Sequence, residues 1–402
     1  MQRLRIPVLL AAALTACTPD LHFQGTPRFS HEPGYHRPAD SSAGTEKIPE
    51  KHLYLTAVRF PEGFDWEQDT CSVDGSVWLD LYRDTVLTAS FPAGESIHPD
   101  MHRYRQGHLY ADWSTAAETV LRRDGSELFR FEGRESLRGF LVLDGAVHTL
   151  GQDRDGNGLT YRIDGHAVFR SDEGTVLGDL DRGGREGGAL SAEGEHVYYS
   201  YRIPTANGLE FKVMRDAELF RTIPDAVQGT VYDLLVQGGT VYTVYSEKGH
   251  LYLSDGDGPV ALPLRSSGNT LWAQLVPSPE SMLVLACLST RSGKKQYLLE
   301  PGGEALPFEA DETVSPFLAD PEGSGWLLSV RYGRPLRFCR PDGKVLPIGS
   351  EGYLASGHCA LVHQGKLILA LTGQKGAPGR LWQEGKETLL PFNGYFTSIT
   401  VE

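Results

Sequence analysis

The feature that most constrains the fold is a repeated unit of short β-branched and aromatic runs separated by turn-forming breaks. The clearest copy runs from Leu234 to Leu264, where Gly238-Gly239 and Asp255-Gly256 separate three such runs. These dipeptides let the backbone reverse with positive φ angles, so the unit predicts a meander of antiparallel strands. One meander cannot bury its own apolar face, and the number of copies therefore decides the fold.

The turn before the last strand of each unit marks the register of the repeat. It occurs eight times, at Arg83-Asp84, Asp124-Gly125, Asp164-Gly165, Asp216-Ala217, Asp255-Gly256, Gly302-Gly303, Asp342-Gly343 and Glu384-Gly385. Successive turns are 39 to 52 residues apart, close to the spacing of about 40 to 50 residues that is typical of propeller blades. The sequence therefore predicts an all-β, eight-bladed β-propeller of four-stranded antiparallel blades, with seven blades as the alternative.

The two ends of the repeat region complete each other. The first unit begins at Leu53 with a second strand, whereas Tyr395 to Val401 follows the last complete unit as a first strand without neighbours. Pairing of the C-terminal strand with the first blade would close the ring and remove exposed sheet edges. We expect the propeller to span residues 52–402 and to be monomeric.

The N-terminal region predicts export and lipid anchoring. Arg3 and Arg5 precede an apolar run from Ile6 to Leu14, which is shorter than the about 20 residues of a membrane-spanning helix. The following Leu14-Thr15-Ala16-Cys17 resembles the lipobox of bacterial lipoproteins. The resemblance implies a signal peptide at 1–16 and acylation of Cys17, and Thr18 then favours the outer membrane of a Gram-negative bacterium. Residues 17–51 are rich in Pro, Gly, Ser and charge, which predicts a flexible tether.

Charge and cysteine content narrow the partners and the chemistry. A formal net charge of −14 argues against nucleic acid, because an acidic surface repels phosphate backbones. Four cysteines besides Cys17 are too few for a disulfide framework in a chain of this size. They are Cys71, Cys287, Cys339 and Cys359, of which Cys339 and Cys359 come from neighbouring units.

Four of the eight units carry a hydrophobic-Tyr pair in the second strand and the others an equivalent pair, and the turn can be preceded by an aromatic residue, as in Tyr161 to Gly165. This pattern is similar to repeat-containing lipoproteins of Bacteroidetes, whose units have a Tyr-rich strand and a Trp-Lys-Asn-Gly turn. The segment Leu381 to Gly385 comes closest to that turn. The resemblance covers about residues 52–402, and it implies a propeller rather than an activity.

Two segments are candidate metal sites, and no other cofactor is expected. The first has the spacing of a calcium loop, with Asp153, Asp155, Asn157 and Asp164. Its last position is Asp instead of the usual Glu, and Asp, Asn and Gly are also ordinary turn formers. The second would place three zinc or iron ligands on one face of an innermost strand, or else solvated residues of the channel wall: His98, Asp100 and His102.

The candidate ligand contacts are Trp66, on a long loop, and Tyr104. Aromatic rings stack on sugars or anchor protein contacts, although Trp66 could equally cap the blade beneath it. The longest insertion, Ser171 to Gly188, is acidic and rich in glycine. Because the sequence has no Gly-x-Ser-x-Gly or His-Glu-x-x-His signature, we expect a non-catalytic module that binds a glycan or a protein. The alternative is an enzyme acting on polysaccharide with carboxylates such as Asp100 and Glu210.

Overall fold

The computed structural model describes most of the chain from Lys51 onwards. The described residues are 51–64, 77–92, 102–112, 118–131, 135–154, 158–177, 189–223, 230–265, 270–278, 281–290, 293–308, 312–318, 325–331, 337–339, 345–348, 353–354, 359–363, 366–374, 376–383 and 385–402. The predicted signal peptide, Cys17 and almost all of the tether lie outside them.

The described residues form thirty-four strands in eight antiparallel sheets. The strands of the first four sheets are β1 Leu53–Arg59, β2 Trp78–Arg83 and β3 Val86–Pro92; β4 His102–Arg105, β5 His108–Asp112, β6 Thr119–Arg123 and β7 Ser126–Phe131; β8 Glu135–Leu143, β9 Ala146–Asp153, β10 Leu159–Ile163 and β11 His166–Ser171; and β12 Thr175–Leu177, β13 Ser191–Glu193, β14 His196–Thr205, β15 Gly208–Arg215 and β16 Glu218–Ile223. Among the described residues no helix has the length and apolar character needed to cross a membrane.

The remaining strands form the last four sheets and complete the first. They are β17 Thr230–Gln237, β18 Thr240–Glu247, β19 His250–Ser254 and β20 Pro259–Arg265; β21 Thr270–Pro277, β22 Met282–Thr290, β23 Gly293–Leu299 and β24 Leu306–Pro307; β25 Glu312–Leu318, β26 Gly325–Arg331, β27 Arg337–Cys339 and β28 Val345–Pro347; β29 Tyr353–Leu354, β30 Ala360–His363, β31 Lys366–Gly373, β32 Gly379–Gln383 and β33 Lys386–Leu390; and β34 Gly394–Val401.

Each sheet is a meander whose strands pair in chain order, as in β4-β5-β6-β7. The fourth and eighth sheets are the same unit with the first strand in two pieces, since β12 and β13 both pair with β14, and β29 and β30 both pair with β31. Part of the predicted insertion is therefore the strand β12, and the rest lies between the two pieces. The eight sheets correspond to the eight predicted units.

The C-terminal strand completes the first sheet, as the sequence predicts. β34 pairs with β1 from Leu53↔Val401 to Arg59↔Gly394, with one register shift between Thr56 and Ala57. β34 also contacts both β30 of the eighth sheet and β4 of the second, and the first strands β17, β21 and β25 contact one another in turn. The eight sheets form a β-propeller whose first sheet contains strands from both ends of the repeat region.

Apolar side chains on both faces of the sheets hold consecutive sheets together. Neighbouring residues of a strand point to opposite faces, so Tyr199 packs with the third sheet while Tyr198 packs with the fifth. The interface between the eighth and first sheets has the same character, with Leu55 and Phe396 packed against Ile368 and Leu381. We call this interface the seam.

Polar side chains add bonds between sheets by accepting backbone N–H groups of the next sheet. The Oδ2 of Asp233 accepts from Leu275 N at 2.8 Å, and the Oε1 of Gln296 accepts from Val314 N at 2.8 Å. At the first sheet, the carboxylate of the C-terminal residue Glu402 accepts from Gln106 N and Gly107 N. The bonds to Leu275 and Val314 satisfy backbone donors of buried residues, those to Gln106 and Gly107 lie at the surface, and all of them link one sheet to the next.

The hairpin between the third and fourth strands of a sheet, which we call the outer turn, packs against the preceding sheet. A Cβ added to Gly125 would lie 2.7 Å from Phe91 Cδ1, and one added to Gly165 would lie 2.7 Å from Phe129 Cδ1. An aromatic ring of one sheet thus covers the outer-turn glycine of the next. Only glycine allows this approach at a positive φ.

Gly125→Ala should destabilise the protein more than Gly107→Ala by about 1 to 3 kcal/mol, since only the first substitution overpacks a ring. The two glycines are matched in backbone strain, with φ of +77° and +81°, but no atom lies within 4 Å of a Cβ at Gly107. Urea unfolding of both variants measures the difference. Equal losses would show that the outer turn does not need the contact with Phe91.

Candidate functional site

Four outer turns are fixed by an aspartate at their first position. Its Oδ1 accepts a backbone N–H of the second strand at 2.9 Å, in the pairs Asp84–Leu53, Asp124–Leu109, Asp164–Val147 and Asp216–Val197. In three of these turns a histidine that precedes or begins the second strand also places its Nδ1 at 2.6 to 2.7 Å from Oδ2; these residues are His52, His108 and His196. We call this arrangement the His–Asp clamp.

The clamp of the first sheet engages both nitrogens of the His52 ring. Its Nδ1 donates to the carboxylate of Asp84, which only accepts hydrogen bonds, and its Nε2 lies against the guanidinium of Arg83. Burial by itself would raise the pKa of Asp84, but the hydrogen bonds from Leu53 and His52 and the charge of Arg83 together lower it. Asp84 is therefore an ionised carboxylate, and each of its two oxygens accepts a hydrogen bond within the clamp.

The same outer turn departs from its counterparts at the second position. Asp84 and Thr85 have φ of +50° and +86°, whereas the second and third sheets have Gly125 and Gly165 at that place, with φ of +77° and +79°. A β-branched residue in the left-handed region is strained, typically by about 1 to 3 kcal/mol. Strain of this kind often marks a functional position.

A cleft of about 350 Å³ lies beside this turn, at the seam. Its lining comes from both ends of the chain and includes Lys51, His52, Asp84, Thr85, His363 and Lys386. We call it the seam cleft. At the second and third sheets the corresponding turn is covered by Phe91 or Phe129, but at the seam the facing strand β33 contributes Lys386 and Thr388.

The charge of the seam cleft is positive on a protein that is acidic as a whole. Two lysines line it against one aspartate, which gives a formal charge of +1 with both histidines neutral. Asp84 is engaged by its clamp, whereas Lys51 and Lys386 have no ion-pair partner among the described residues. We call the apolar residues of the lining the apolar wall; they are the half-buried Leu53 and Val401 and the buried Ile368 and Leu381. The cleft therefore favours an anion that also has an apolar face.

The structure does not bring the two described members of the calcium segment together. Asp153 ends β9 beside Gly158 and Asp164 follows β10, so they lie at opposite ends of a five-residue strand, a separation of about 20 Å. Asp164 instead accepts from Val147 N in its outer turn. Asp155 and Asn157 lie outside the described residues. The part of the chain that is described contains no cluster of three His, Cys, Asp or Glu side chains suited to a metal.

The other predicted site residues are placed as follows. His102 begins β4 and is 1% exposed, so it is not a solvated residue of the channel wall; His98 and Asp100 lie outside the described residues. Tyr104 is 8% exposed and stacks on Tyr54, with ring centroids 3.9 Å apart. Burial also raises its pKa. Tyr104 therefore packs the first sheet on the second and does not offer a surface to a ligand.

The remaining candidates are a tryptophan, a glutamate and the cysteines. Trp66, like Cys71, lies outside the described residues. Glu210 is on β15, the third strand of its sheet, with Lys212 Nζ at 3.9 Å, so it does not face the channel beside the first strands. Cys287 and Cys359 are buried in the core at 3% and 1% exposure, and the side chain of Cys339 is outside the described set.

Sequence reasoning missed the seam cleft. A signal for it exists, because the first unit has Arg83-Asp84-Thr85 where the second and third have Asp-Gly, and because His-Leu-Tyr occurs both at 52–54 and at 108–110. The sequence does not reveal that Lys51 and Lys386, which are far apart in the chain, line the same cleft.

Neither the protein-family models nor the curated proteins gave a match to this chain. Solved structures gave weak likenesses. They include a prolyl endopeptidase (11% identity, 75% of this chain and 49% of that one, TM-score 0.43), the dihydro-heme d1 dehydrogenase NirN (13%, 76% and 76%, 0.38) and a quinonprotein alcohol dehydrogenase-like protein from Bacteroides thetaiotaomicron (12%, 88% and 89%, 0.35). This chain spans about half the length of the prolyl endopeptidase. At these scores the likenesses carry no inference about activity.

Thr85→Gly should raise the free energy of unfolding by about 1 kcal/mol, because it relieves a β-branched residue at φ +86°. Thr88→Gly is the control: Thr88 lies on β3, and glycine there should cost about 0.5 to 1 kcal/mol. Urea unfolding compares both with the unaltered protein. A loss of stability in Thr85→Gly would contradict the assignment of strain to this turn.

Proposed function

We propose that this protein is an exported, lipid-anchored binding protein whose propeller holds a glycan or protein partner without catalysing a reaction. The membrane anchor is the acylated Cys17, and the outer membrane of a Gram-negative bacterium is its location. The lipobox-like Leu14 to Cys17 after a charged and apolar leader supports this part. The Pro- and Gly-rich stretch that follows would act as the tether.

The observation that carries the binding function is the composition of the seam cleft. Hydrolysis of a glycosidic bond uses two carboxyl groups about 5 to 9.5 Å apart, whereas the described lining of the cleft has one, Asp84. That carboxylate is held by Leu53 N and His52 Nδ1, so it is committed to the turn. Lys51 and Lys386, which have no ion-pair partner among the described residues, stand beside apolar side chains. Such a combination can bind and orient a ligand.

Membranes from a Gram-negative host that expresses the protein should retain labelled polysaccharide or partner protein without cutting it. The Cys17→Ala variant should move both the protein and the retained label from the membrane fraction to the soluble fraction, because the acyl chains are lost. Label in each fraction and newly formed reducing ends are the measurements.

Three results would contradict the proposal. If the Cys17→Ala variant stays in the membrane fraction, Cys17 is not the lipid anchor. Newly formed reducing ends above the level of membranes from non-expressing cells would favour the polysaccharide-acting enzyme. The membranes could also retain no more label than membranes of non-expressing cells, across a panel of neutral and acidic glycans and host proteins. That result would contradict the binding function.

A further inference from the structure

The seam cleft is lined by residues from both the beginning and the end of the repeat region. From the beginning of the repeat region come Lys51 and the strained Thr85, and from its end come Gln383, Lys386 and Thr388. The described lining beside Thr85 includes no Phe, Tyr or Trp ring, whereas Phe91 and Phe129 lie against Gly125 and Gly165. The cleft is therefore open at a position that a ring fills in the second and third sheets.

The positive groups of the cleft suit one anionic group. Lys51 and Lys386 have no carboxylate partner among the described residues, and the only carboxylate of the lining, Asp84, is held by its clamp. A lysine ammonium is a compact charge that binds a carboxylate or phosphate as a point donor. On a chain with a net charge of −14, such a place concentrates anions that the rest of the surface repels.

The remaining lining suits a sugar ring. The half-buried Leu53 and Val401 offer apolar surface, next to the buried Ile368 and Leu381, and Thr85, Gln383 and Thr388 offer hydroxyl and amide groups. A pyranose has the same combination, with C–H groups on its faces and hydroxyls around its edge. The volume of about 350 Å³ is at the lower end of the about 300 to 1,000 Å³ of small-molecule sites, so one sugar unit is the appropriate size.

We propose that the seam cleft binds an acidic sugar, with its carboxylate between Lys51 and Lys386 and its ring against the apolar wall. The proposal rests on the proposed binding function and names its ligand class. An inorganic or lipid-borne phosphate shares the anionic chemistry but lacks the carboxylated ring, so a phosphate arm separates the two.

Isothermal titration of the full-length protein in detergent with D-glucuronate, D-glucose and inorganic phosphate tests the ligand class. Glucuronate should bind, and glucose, which lacks the carboxylate, and phosphate, which lacks the ring, should each bind at least about tenfold more weakly. Binding of glucuronate should also weaken as salt rises, because the two lysines are partly exposed to screening.

Lys51→Gln and Lys386→Gln should each weaken glucuronate binding by about five- to tenfold, since each removes one charge-assisted contact. Lys248→Gln is the matched control: Lys248 is 78% exposed and lies beside Glu247, between β18 and β19 of the fifth sheet. It should leave glucuronate binding unchanged. Thermal melts that match those of the unaltered protein show that the variants are folded.

The outcomes separate the proposal from the function on which it rests. Glucuronate binding that survives both lysine substitutions, or that Lys248→Gln reduces equally, overturns the cleft as the site. Phosphate binding as tightly as glucuronate overturns the acidic sugar in favour of a phosphate-bearing ligand. Absence of glucuronate binding, together with retention of a neutral glycan or a protein by the membranes, overturns this inference and leaves the binding function intact.

Discussion

The structure depends on one constraint: each sheet has two apolar faces, and neither can be covered from within the sheet. Tyr198 and Tyr199 are adjacent on β14 and pack on different neighbours, so a sheet is stable only between two others. A linear row would leave two apolar faces and two sets of unpaired backbone groups exposed. Closure into a ring removes both, and the pairing of β34 with β1 is the step that achieves it.

Closure also makes the seam unlike the other interfaces. It brings residues from both ends of the repeat region to one interface, since Leu55 and Phe396 pack against Ile368 and Leu381. The apolar part of the interface is complete, but its outer part lacks the ring-on-glycine contact of the second and third sheets. The first sheet has Thr85 where the second and third have Gly125 and Gly165. The seam cleft and the backbone strain both occur at that residue.

Much of the fold could be predicted from the sequence because the outer turn is a local feature. Asp124-Gly125 and Asp164-Gly165 form hairpins with both residues at positive φ, and few residue pairs do so easily. Spacing then gave the number of units. The candidate site could be predicted less well from the sequence. Asp153 and Asp164 have the spacing of a calcium loop, but a strand between them holds them apart, and spacing along the chain does not report that extended path.

Tyr104 illustrates the same limit. The period of two along a strand tells which residues share a face, but in a sheet covered on both sides it does not tell an exposed face from a buried one. The stack of Tyr104 on Tyr54 is a contact between distant segments, and Lys51 and Lys386 line one cleft although they are far apart in the chain. They follow from the ring, and they can be deduced only once the ring is known to close at β34.

Native-state amide hydrogen exchange of the intact protein tests the closure most directly. If β34 is the first strand of the first sheet, the amides of Gly394–Val401 that bond to β1 exchange as slowly as those at the centre of β9 or β22, by global unfolding. Rapid exchange along Gly394–Val401, with slow exchange retained in β9 and β22, would contradict the closed ring.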